Sequence, residues 1–582
     1  MIEDRSLCTP EEPGGAKSPI GLFHVPARAS LRVVAALAIL CSAVQTTQAG
    51  EKILSGSVRD RHRGTPITTA GIQAFDQSGV LLGVTTVDAQ GQWHMTIPLV
   101  GISGQGEIPG TFSLEQNYPN PFNPSTKIPF TIGKEGAVRI TVFNILGQLV
   151  DEKQYTLRAG NYTIDWKGKG SAGVFFYSVE TDGRRLTKKM VQLDGNNGGG
   201  LANIALTSRS ISYNVGSALF GDSCKIIASS LVYEPDTLTV AFKDSTRADF
   251  LLDSVHDRAF VVDLHNDLME MISGKNFNYQ IADRHVWTRD RDPQTDIPRL
   301  RDGGVDAQIF SIWISPTSYA TGTWYSTAMK FLDTLKAQAG RNRTSIGLVT
   351  KPDSVDALAR QNRIAGIVVL EGGHCIEDKV ENLRTFYNAG VRVMTLTWNN
   401  STSWAVSAQD ASNGNKAGLN DFGKQVVRTM DSLGMIIDVS HVGPQTVTDI
   451  LATTTNPIIA SHSGAYALRS HYRNLTDAQI RAIAKSGGVV GVVFYPPFLV
   501  ASGSARLENV LQQIDYIKNL VGIDYVALGS DFDGIETTPV GLEDVTKFPA
   551  VTEGLLQRGY SRQDVRKILG ENFMRVFRAV CK

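Results

Sequence analysis

The sequence predicts a multidomain protein in which an N-terminal all-β region precedes a C-terminal α/β domain, a TIM-like (β/α)₈ barrel. From residue 51 to about 252, apolar and polar residues alternate with period two between turn signals, which is typical of short β-strands. From about residue 253, apolar runs alternate with helical stretches, which is typical of a parallel sheet. The length of 582 residues also exceeds that of one ordinary domain.

The composition argues against two classes of partner. Hydrophobic residues make up 42% of the chain and charged residues 20%, as in globular proteins. The 57 Lys and Arg residues equal the 57 Asp and Glu residues in number, so no overall field attracts nucleic acid or an anionic membrane surface. We therefore predict no nucleic-acid partner, and the function has to be sought at local sites.

The N-terminal residues have the layout of a secretory signal peptide, which we assign to residues 1–49. Arg28 and Arg32 precede an apolar run over residues 33–44, and small and polar residues follow it. A single membrane anchor is one alternative, but the run is shorter than the ~20 residues of a spanning helix. A lipoprotein site at Cys41 is another, although a bulky leucine precedes it. We expect an exported protein.

Three cysteines would remain after cleavage, namely Cys224, Cys375 and Cys581. They are too few for a disulfide scaffold, and no two of them have the spacing of a metal site. No later segment of the sequence is long and apolar enough to predict a membrane span.

Three β-rich blocks follow the signal peptide. Residues 50–106 contain "ILSGSVRD", "AGIQAFD" and "VLLGVTTVDAQGQWHMTI", and they resemble carboxypeptidase-regulatory-like β-sandwiches. Residues 112–193 contain "NYPNPFNPST", "VFNILGQLV", "GNYTIDW" and "GVFFYSVETDG", and they resemble the secretion-system sorting (FlgD-like) modules of bacteria. A β-rich segment over residues 200–252 comes last. The resemblance implies immunoglobulin-like sandwiches, and a mid-chain position favours a spacer over a cleaved sorting signal.

The C-terminal region, residues 253–582, contains eight strand candidates with helix-like segments between most of them. They are "FVVDLH" (260–265), "DAQIFSIW" (306–313), "GIVVLE" (366–371), "VRVMTLTW" (391–398), "MIIDVSH" (435–441), "PIIASH" (457–462), "GVVGVVF" (488–494) and "YVALGSD" (525–531). Eight parallel strands over about 330 residues predict a (β/α)₈ barrel.

The predicted strand ends carry an unusual set of side chains. Reactive residues of such barrels stand at the carboxyl ends of the strands, and here those ends carry His265, Asp267, Glu371, Trp398, His441, His462 and Asp531. Each alone has an ordinary explanation, as a turn residue, a solvated carboxylate or a helix cap. Together, carboxylates and imidazoles repel or desolvate one another unless a cation lies among them. The set suits Zn²⁺, and it exceeds the usual three protein ligands of one catalytic zinc, which favours two metal ions.

The spacing of His265 and Asp267 has a geometric reason. Alternate residues leaving a strand project to the same side, so both side chains can contact one ion while Asn266 turns away. The stretch "VVDLHNDLM" is therefore predicted to supply the first ligands of the site.

Eight runs of this region carry a specific family resemblance. They read "DLHNDL", "IPRLRDGGVDAQIFSIW", "GIVVLEGGH", "GVRVMTLTW", "GMIIDVSHVG", "IIASHSGAYALRSHYRNLTD", "VALGSDFDG" and "ILGENFMRVF". In this order they resemble the renal (membrane) dipeptidase family, peptidase family M19, of the metal-dependent amidohydrolase type. The resemblance covers essentially the whole C-terminal domain, and it implies a zinc-dependent dipeptidase.

The resemblance also implies a role for each ligand. His265 and Asp267 would bind one zinc ion. His441 and His462 would bind the second, and Glu371 would bridge the two. Such a pair holds a water between the ions and lowers its pKa toward ~7, which prepares it to attack a carbonyl.

Further roles follow from the same resemblance. Asp531 would move the proton to the leaving amine; Asp533 is the alternative, but Asp531 lies flush with the strand end. Arg473 would hold the free carboxylate of the substrate, a task that suits a bidentate guanidinium, although a solvated loop arginine is the alternative. His374 would fix Glu371 from outside the ligand set, or else be structural.

Trp398 departs from the family pattern. Animal members carry a histidine at the end of the fourth strand, credited with polarising the scissile carbonyl. Tryptophan lacks that cationic donor, so we expect Trp398 to contact the substrate, to leave the oxyanion more dependent on zinc, and to alter the substrate range.

The sequence thus predicts a metallodipeptidase with two zinc ions per chain, and it leaves open whether a C-terminal D-residue is accepted. Hydrolysis of N-acyl amino acids or β-lactams by the same site is the alternative. An inactive surface binding protein is a third interpretation, disfavoured because all five ligands and Asp531 are present. The family resemblance also suggests a homodimer, and the β-rich blocks suggest a means of attachment to the surface of a bacterial cell. The sequence leaves open whether the exported protein is periplasmic, held at the cell surface or secreted.

Overall fold

The computed structural model of the chain describes residues 51–75, 77, 81–98, 112–122, 125–144, 147–157, 160–170, 172–192, 196–208, 223–241, 243, 245–274, 281 and 293–582. The signal peptide predicted over residues 1–49 lies outside these ranges. Within them, no helix combines the length and the apolar character needed to cross a membrane. Cys224, Cys375 and Cys581 are buried and free.

Sixteen strands make up the described part of the N-terminal region. In chain order they are β1 (Glu51–Asp60), β2 (Gly71–Phe75), β3 (Leu81–Thr86), β4 (Gln92–Pro98), β5 (Ser113–Leu114), β6 (Ser125–Ile132), β7 (Gly136–Asn144), β8 (Leu149–Leu157), β9 (Gly160–Gly170), β10 (Gly173–Thr181), β11 (Arg184–Gln192), β12 (Asn196–Ser208), β13 (Ser223–Ser230), β14 (Tyr233–Ala241), β15 (Ser245–Arg247) and β16 (Phe250–Leu252). They form four sheets, and the prediction of a β-rich N-terminal region is confirmed.

The first two-sheet unit is built from stretches that are distant in the chain. β2 pairs with β13, while β1 pairs with both β15 and β16. The core between the two sheets includes Leu54, Val58, Trp93, Ile226 and Phe250. The structure thus differs from the sequence-based division, in which residues 50–106 and 200–252 are separate. Neither stretch has a complete sheet or core without the other.

The second two-sheet unit lies between those stretches in the chain. Its sheets have the strand orders β11–β10–β7–β8 and β12–β9–β6–β5, and they enclose a core that includes Phe130, Trp166 and Tyr177. The Tyr177 hydroxyl donates a hydrogen bond to the carbonyl of Glu115 at 2.8 Å, which satisfies its polar end in this core. Because β12 pairs with β9, the unit extends beyond the predicted boundary at residue 193.

The C-terminal region alternates strands with helices. Its described strands are β17 (Val262–Asn266), β18 (Ala307–Trp313), β19 (Ile346–Leu348), β20 (Ile364–Glu371), β21 (Val391–Thr395), β22 (Ile436–Asp438), β23 (Ile459–Ser463), β24 (Val489–Val492) and β25 (Val526–Leu528). Its described α-helices are α1 (Ile297–Asp302), α2 (Trp324–Arg341), α3 (Pro352–Ala359), α4 (Val380–Asn388), α5 (Ala408–Ser412), α6 (Asp421–Leu433), α7 (Pro444–Thr453), α8 (Asp477–Lys485), α9 (Pro496–Leu499), α10 (Leu507–Val521), α11 (Phe548–Gln557), α12 (Arg562–Arg566) and α13 (Asn572–Val580).

Eight of these strands form a nearly closed parallel barrel, as predicted. Their order is β17–β18–β20–β21–β22–β23–β24–β25, and β19 pairs with the edge of β20. Each matches one of the eight strand candidates of the sequence. Every residue of β20 is buried, which explains its nearly unbroken apolar sequence, since a parallel strand is covered on both faces.

Local sequence signals mark where the helices of the barrel domain begin and end. At the start of α8, Thr476 and Gln479 form a capping box in which each side chain accepts a hydrogen bond from the other residue's backbone N–H. At the end of α6, Gly434 adopts a φ of 74°, which is strained for any residue with a side chain.

Side chains complete the seam where β17 and β25 meet. The backbone N–H of Asp531 donates to the carbonyl of His265 at 3.1 Å. Deeper in the barrel, the fully buried Asp263 carboxylate accepts hydrogen bonds from the Ser530 N–H at 2.7 Å and the Ser530 hydroxyl at 2.6 Å. It also accepts one from Gln308 Nε2 at 3.0 Å. The Asp263 side chain therefore supplements the few backbone hydrogen bonds at this seam.

Removing this carboxylate should destabilise the barrel. Asp263→Ala leaves three buried donors without their acceptor, and we expect the free energy of unfolding to fall by about 2–4 kcal/mol. Asp263→Asn keeps one carbonyl oxygen and should lose less. Thermal and urea denaturation of the full chain, followed by tryptophan fluorescence, measure both. A wild-type melting temperature for Asp263→Ala would show that the seam closes without this side chain.

The first two-sheet unit contacts the barrel through α12. Arg562 donates hydrogen bonds to the carbonyls of Tyr233 at 2.8 Å and Ser230 at 3.1 Å. One turn later, Arg566 forms an ion pair with Glu234. The C-terminal end of the barrel domain is therefore joined to strands that come much earlier in the chain.

Candidate metal centre

Six ionisable side chains from five strands meet at the carboxyl end of the barrel. They are His265 in β17, Asp267 just after β17, Glu371 at the end of β20, His441 after β22, His462 in β23 and Asp531 after β25. Five of them are buried, and Asp531 is half-buried. The structure thus brings together all five predicted ligands and the predicted proton carrier.

The Glu371 carboxylate lies at the centre of the group. His265 Nε2 lies 3.1 Å from its Oε2 atom. His441 Nε2 lies 3.2 Å from the other oxygen, Oε1, and His462 Nε2 lies 3.9 Å from the same atom. The Ser311 hydroxyl donates a hydrogen bond to Oε2 at 2.9 Å. A carboxylate with imidazoles on both oxygens has the arrangement that a bridging ligand needs.

Hydrogen bonds at the Nδ1 atoms fix the tautomers of His441 and His462. The Ser461 hydroxyl donates its proton to Asp438 at 2.6 Å, so at 2.8 Å it accepts a hydrogen bond from His462 Nδ1. His441 Nδ1 lies 3.0 Å from Asn399 Oδ1, which also accepts. Both Nε2 atoms consequently carry lone pairs, and they lie 3.0 Å apart. Two lone pairs that face each other beside a carboxylate repel one another, and a metal cation bound by both nitrogens would relieve that repulsion.

Burial keeps these two imidazoles neutral. It lowers the pKa of His441 to about 4, with the positive charge of Arg473 acting in the same direction. Burial also lowers the pKa of His462 well below its usual range, assisted by charges on His265 and Arg473. Neutral imidazoles are the form that binds divalent metals.

The pKa values of two carboxylates of the group shift in opposite directions. Burial would raise the pKa of Glu371, but His265 and His441 hold it well below its usual range. Burial raises the pKa of Asp531 well above its usual range, and the negative charges of Asp267 and Glu371 add to this shift. One carboxylate is therefore held ionised while the other favours its protonated form, which is the division expected between a metal ligand and a proton carrier.

A second group joins the first through His265. Its Nε2 atom lies 3.5 Å from Asp267 Oδ2, and possible ligand atoms of His265, Asp267 and Asp531 all lie within 4.8 Å of one another. The same limit holds for His265, Glu371 and His462. The other oxygen of Asp267 is buried and has no hydrogen-bond partner among the described residues. This orphaned acceptor, with the facing lone pairs, fits one or two divalent cations.

Backbone conformation brings the second group together. Asp531 has a φ of 66°, a left-handed conformation that few non-glycine residues adopt. A Cβ atom added to Gly534 would lie 2.1 Å from Asp267 Oδ2 and 2.7 Å from Asp531 Oδ1. Only glycine at position 534 leaves the space that the carboxylates of Asp267 and Asp531 occupy.

Gly534→Ala should therefore weaken metal binding without unfolding the barrel. The added methyl group must displace Asp267, and we expect zinc affinity to fall by about 10- to 100-fold. Gly340→Ala is the matched control, because a Cβ there meets nothing within 4 Å. Competitive zinc titration and circular dichroism of the full chain measure affinity and fold. Unchanged zinc affinity in Gly534→Ala would contradict the close approach of Asp267 to the metal.

Asp533, the alternative proton carrier, faces away from this group. Its Oδ1 atom accepts a hydrogen bond from the Gln294 N–H at 2.9 Å, and its own N–H donates to Gln294 Oε1 at 2.7 Å. Asn266 Nδ2 lies 3.4 Å from its second oxygen. These contacts give Asp533 a structural task and favour Asp531 as the residue at the site.

Arg473 lines a cavity of about 460 Å³, and so do the candidate ligands Asp267, Glu371 and His441. The side chain is only 4% exposed, so the solvated alternative does not describe it. Its Cζ atom lies 5.2 Å from the centre of the Phe498 ring, and its Nε atom has no hydrogen-bond partner among the described residues. A buried guanidinium with an unused donor suits a carboxylate ligand.

Trp398 forms part of an aromatic wall of the same cavity. Its ring centre lies 4.9 Å from that of Trp313 and 6.1 Å from that of His441, in a stacked orientation with the latter. The indole therefore covers the candidate ligand His441 on one side and lines the cavity on the other.

His374 lies beyond the ligand group. Its Nε2 atom lies 2.9 Å from the carbonyl of Ile314, just after β18, and its ring packs edge-on against Trp324. Its ring also lies against Gly372, the residue next to Glu371, where φ is 99°. These contacts favour the structural alternative, in which His374 supports the loop that follows Glu371.

Four supporting residues were not predicted from the sequence. They are Ser311, Asn399, Asp438 and Ser461. Two signals were available: Ser311 and Asp438 are polar residues inside otherwise apolar strands, where a buried polar side chain requires a partner. Asn399 lies in a loop, and nothing in its local sequence indicates that it reaches His441.

Two family models match the chain. Residues 251–582 match the model described as membrane dipeptidase (peptidase family M19). Residues 116–192 match the model of the secretion system C-terminal sorting domain. The sorting-domain match falls on the second two-sheet unit.

Known proteins with similar sequences or structures agree with the first match. Dipeptidase 3 of Rattus norvegicus is 35% identical over 325 residues, which are 55% of this chain and 65% of that protein. The chain thus spans less than two thirds of that relative. The crystal structure of dipeptidase AC, a metallopeptidase of family M19, aligns with a TM-score of 0.51 and 25% identity over 56% of this chain and 99% of that one. A metallopeptidase from Rhodobacter sphaeroides, liganded with a phosphinate mimic of the dipeptide L-Ala-D-Ala, aligns with a TM-score of 0.51 and 25% identity over 55% and 99%.

Proposed function

Because the chain belongs to the membrane dipeptidase family, peptidase family M19, we propose that it hydrolyses dipeptides with two zinc ions held at the barrel mouth. The observation that carries this proposal is the pair of facing Nε2 lone pairs of His441 and His462 beside the Glu371 carboxylate. An inactive binding protein would have no need to hold two imidazoles in that arrangement.

The ligands divide between the two ions. His265 and Asp267 would hold the first, His441 and His462 would hold the second, and Glu371 would contact both. When bound, the ions would lower the pKa of a water molecule and polarise the scissile carbonyl.

The chain's own residues carry out the remaining steps. Asp531 in its ionised form would accept a proton from the attacking water and pass it to the leaving amine, and the rise in its pKa on burial makes that form a stronger base. Arg473 would bind the C-terminal carboxylate of the substrate through two parallel hydrogen bonds. Trp398 would pack against the substrate, since it lies in the cavity wall beside His441. A cavity of about 460 Å³ with its cation inside suits a short peptide with a free end.

We further infer that the protein is exported and that its two-sheet units are immunoglobulin-like spacers that attach the enzyme to the cell surface. The match of residues 116–192 to a sorting domain supports export. The homodimer expected from the family is part of the same proposal, and light scattering of the purified full chain tests it.

The test of the function is a substrate panel with the metal controlled. Zinc-loaded full chain should hydrolyse alanyl-alanine, and treatment with a chelator should abolish this activity until zinc is restored. The panel adds the diastereomer with C-terminal D-alanine, N-acetyl-alanine and a β-lactam. Zinc-dependent cleavage of the last two without cleavage of either dipeptide would replace the proposal by the alternative amidohydrolase.

A further inference from the structure

The cavity above the metal ligands contains charges of both signs. Arg473 is the one guanidinium or ammonium group among the described residues that line it. Beyond the residues of the metal centre, two carboxylates line it as well, Glu270 and Glu536. A dipeptide with two free ends carries one charge of each sign, so the cavity and such a ligand are complementary.

Glu536 is held next to the aromatic side chains beside Arg473. The Tyr495 hydroxyl lies 3.3 Å from Glu536 Oε2, to which it donates a hydrogen bond. The Tyr495 ring packs edge-on against Phe498 at 4.9 Å, and Phe498 also contacts the guanidinium of Arg473, whose Cζ atom lies 5.2 Å from its ring centre. One packed series of side chains therefore connects the negative group and the positive group of the cavity.

The neighbours of Glu536 direct it into the cavity. Ile535 is fully buried and anchors the loop, and its carbonyl accepts a hydrogen bond from Gln294 Nε2 at 3.2 Å. Glu536 itself is exposed, so a ligand in the cavity can reach it. The short stretch from Asp531 to Glu536 thus supplies one carboxylate beside the metal ligands and another nearer the opening.

Glu270 is less suited to the same task. It begins a π-helical turn after β17, and it already has an interaction partner. Asp267 and Asp531 belong to the metal centre. Glu536 is the remaining carboxylate of the cavity. It accepts a hydrogen bond from the Tyr495 hydroxyl, and none of its described contacts is a cation that would balance its charge.

We propose that Glu536, oriented by Tyr495, binds the free α-ammonium group of the substrate and makes the enzyme selective for unblocked dipeptides. The proposal rests on the proposed function and deepens it, because it separates dipeptides from N-acyl amino acids at the same metal site. An acylated substrate presents a neutral amide to Glu536 and loses one charge-assisted hydrogen bond. That loss is worth about 10- to 100-fold in affinity.

The experiment compares free and blocked ligands on zinc-loaded full chain. The substrates are alanyl-alanine and N-acetyl-alanyl-alanine, and the non-hydrolysable ligands are a phosphinate mimic of alanyl-alanine and its N-acetyl derivative, measured by calorimetry. Glu536→Gln should raise the KM for alanyl-alanine and the Kd of the free-amine mimic by about 10- to 100-fold, with a much smaller change in kcat. Binding of the N-acetyl mimic should stay the same. Tyr495→Phe should give a smaller effect in the same direction.

Two further variants decide the assignment. Glu543→Gln alters an exposed carboxylate that does not line the cavity, and it should match the wild type. Glu270→Gln should leave the ratio between free and blocked ligands unchanged. Equal Kd values of the free-amine mimic in wild type and Glu536→Gln would overturn the proposal. Loss of the selectivity between free and blocked ligands in Glu270→Gln instead would also overturn it. So would failure of the wild type to bind the mimic. If the mimic binds with the expected dependence on Glu536 but alanyl-alanine is not cleaved, ammonium recognition stands and the proposed reaction fails.

Discussion

Glu371→Gln should abolish dipeptide hydrolysis and release bound zinc. The substitution replaces one charged oxygen of the central carboxylate by an amide N–H₂, which cannot bind a cation and would face the imidazoles of His265 or His441. We expect kcat/KM for alanyl-alanine to fall by about 10³-fold or more. Elemental analysis after dialysis should show fewer than the two zinc ions that we propose for the wild type.

The matched control is Glu381→Gln, which removes an exposed carboxylate in the first turn of α4. It should retain both zinc and activity. Circular dichroism of both variants separates loss of the site from loss of the fold. Activity within a few-fold of wild type in Glu371→Gln would remove the central carboxylate from the mechanism.

Asp531→Asn should stop turnover while leaving the metals in place. Asparagine fills the same space but cannot accept and return a proton, so we expect kcat to fall by about 10²- to 10⁴-fold. Zinc content should stay near the wild-type value, since the ligands that we assign to the ions are His265, Asp267, Glu371, His441 and His462. Loss of zinc together with activity would instead make Asp531 a ligand.

Asp533→Asn is the comparison for this prediction. Its side chain bonds to the backbone N–H of Gln294, and asparagine keeps an oxygen for that contact. We expect a small loss of stability and little loss of kcat. The reverse result, an active Asp531→Asn and an inactive Asp533→Asn, would transfer the proton-carrying role to Asp533.

The barrel and its ligands were predictable because both depend on local patterns. A parallel strand covered on both faces reads as an apolar run, and β20 with its final Glu371 is an example. The carboxyl ends of such strands meet at one mouth, so His265, His441 and His462 could be grouped before any distance was known. The alternation of side chains explained the spacing of His265 and Asp267 in the same way.

The remaining features depend on pairing between distant residues. The partner strand of β2 is β13, about 150 residues later, and no local signal specifies it. The contacts of Asn399 and His374 are equally non-local, and His374 lies against Ile314 and Trp324 because of how the loops fold back. Gly534 could be read from the sequence as a turn residue, but not as the space that two carboxylates need.

The split construction of the first two-sheet unit has a consequence for the order of folding. Synthesis delivers β1 to β4 first, yet the pairing of β2 with β13 and of β1 with β16 requires residues that come much later. The hydrogen bond from the Ser57 N–H to the Asp249 side chain likewise joins residues 192 positions apart. The strands of the second two-sheet unit, β5 to β12, follow one another in the chain, so that unit can fold alone. Its folding brings the two stretches together and lowers the entropy cost of closing the long loop between them. Arg562 and Arg566 then reach the finished unit from near the other end of the chain. Although β1 to β4 are synthesised before the other described strands, they are among the last to acquire all the strands with which they pair.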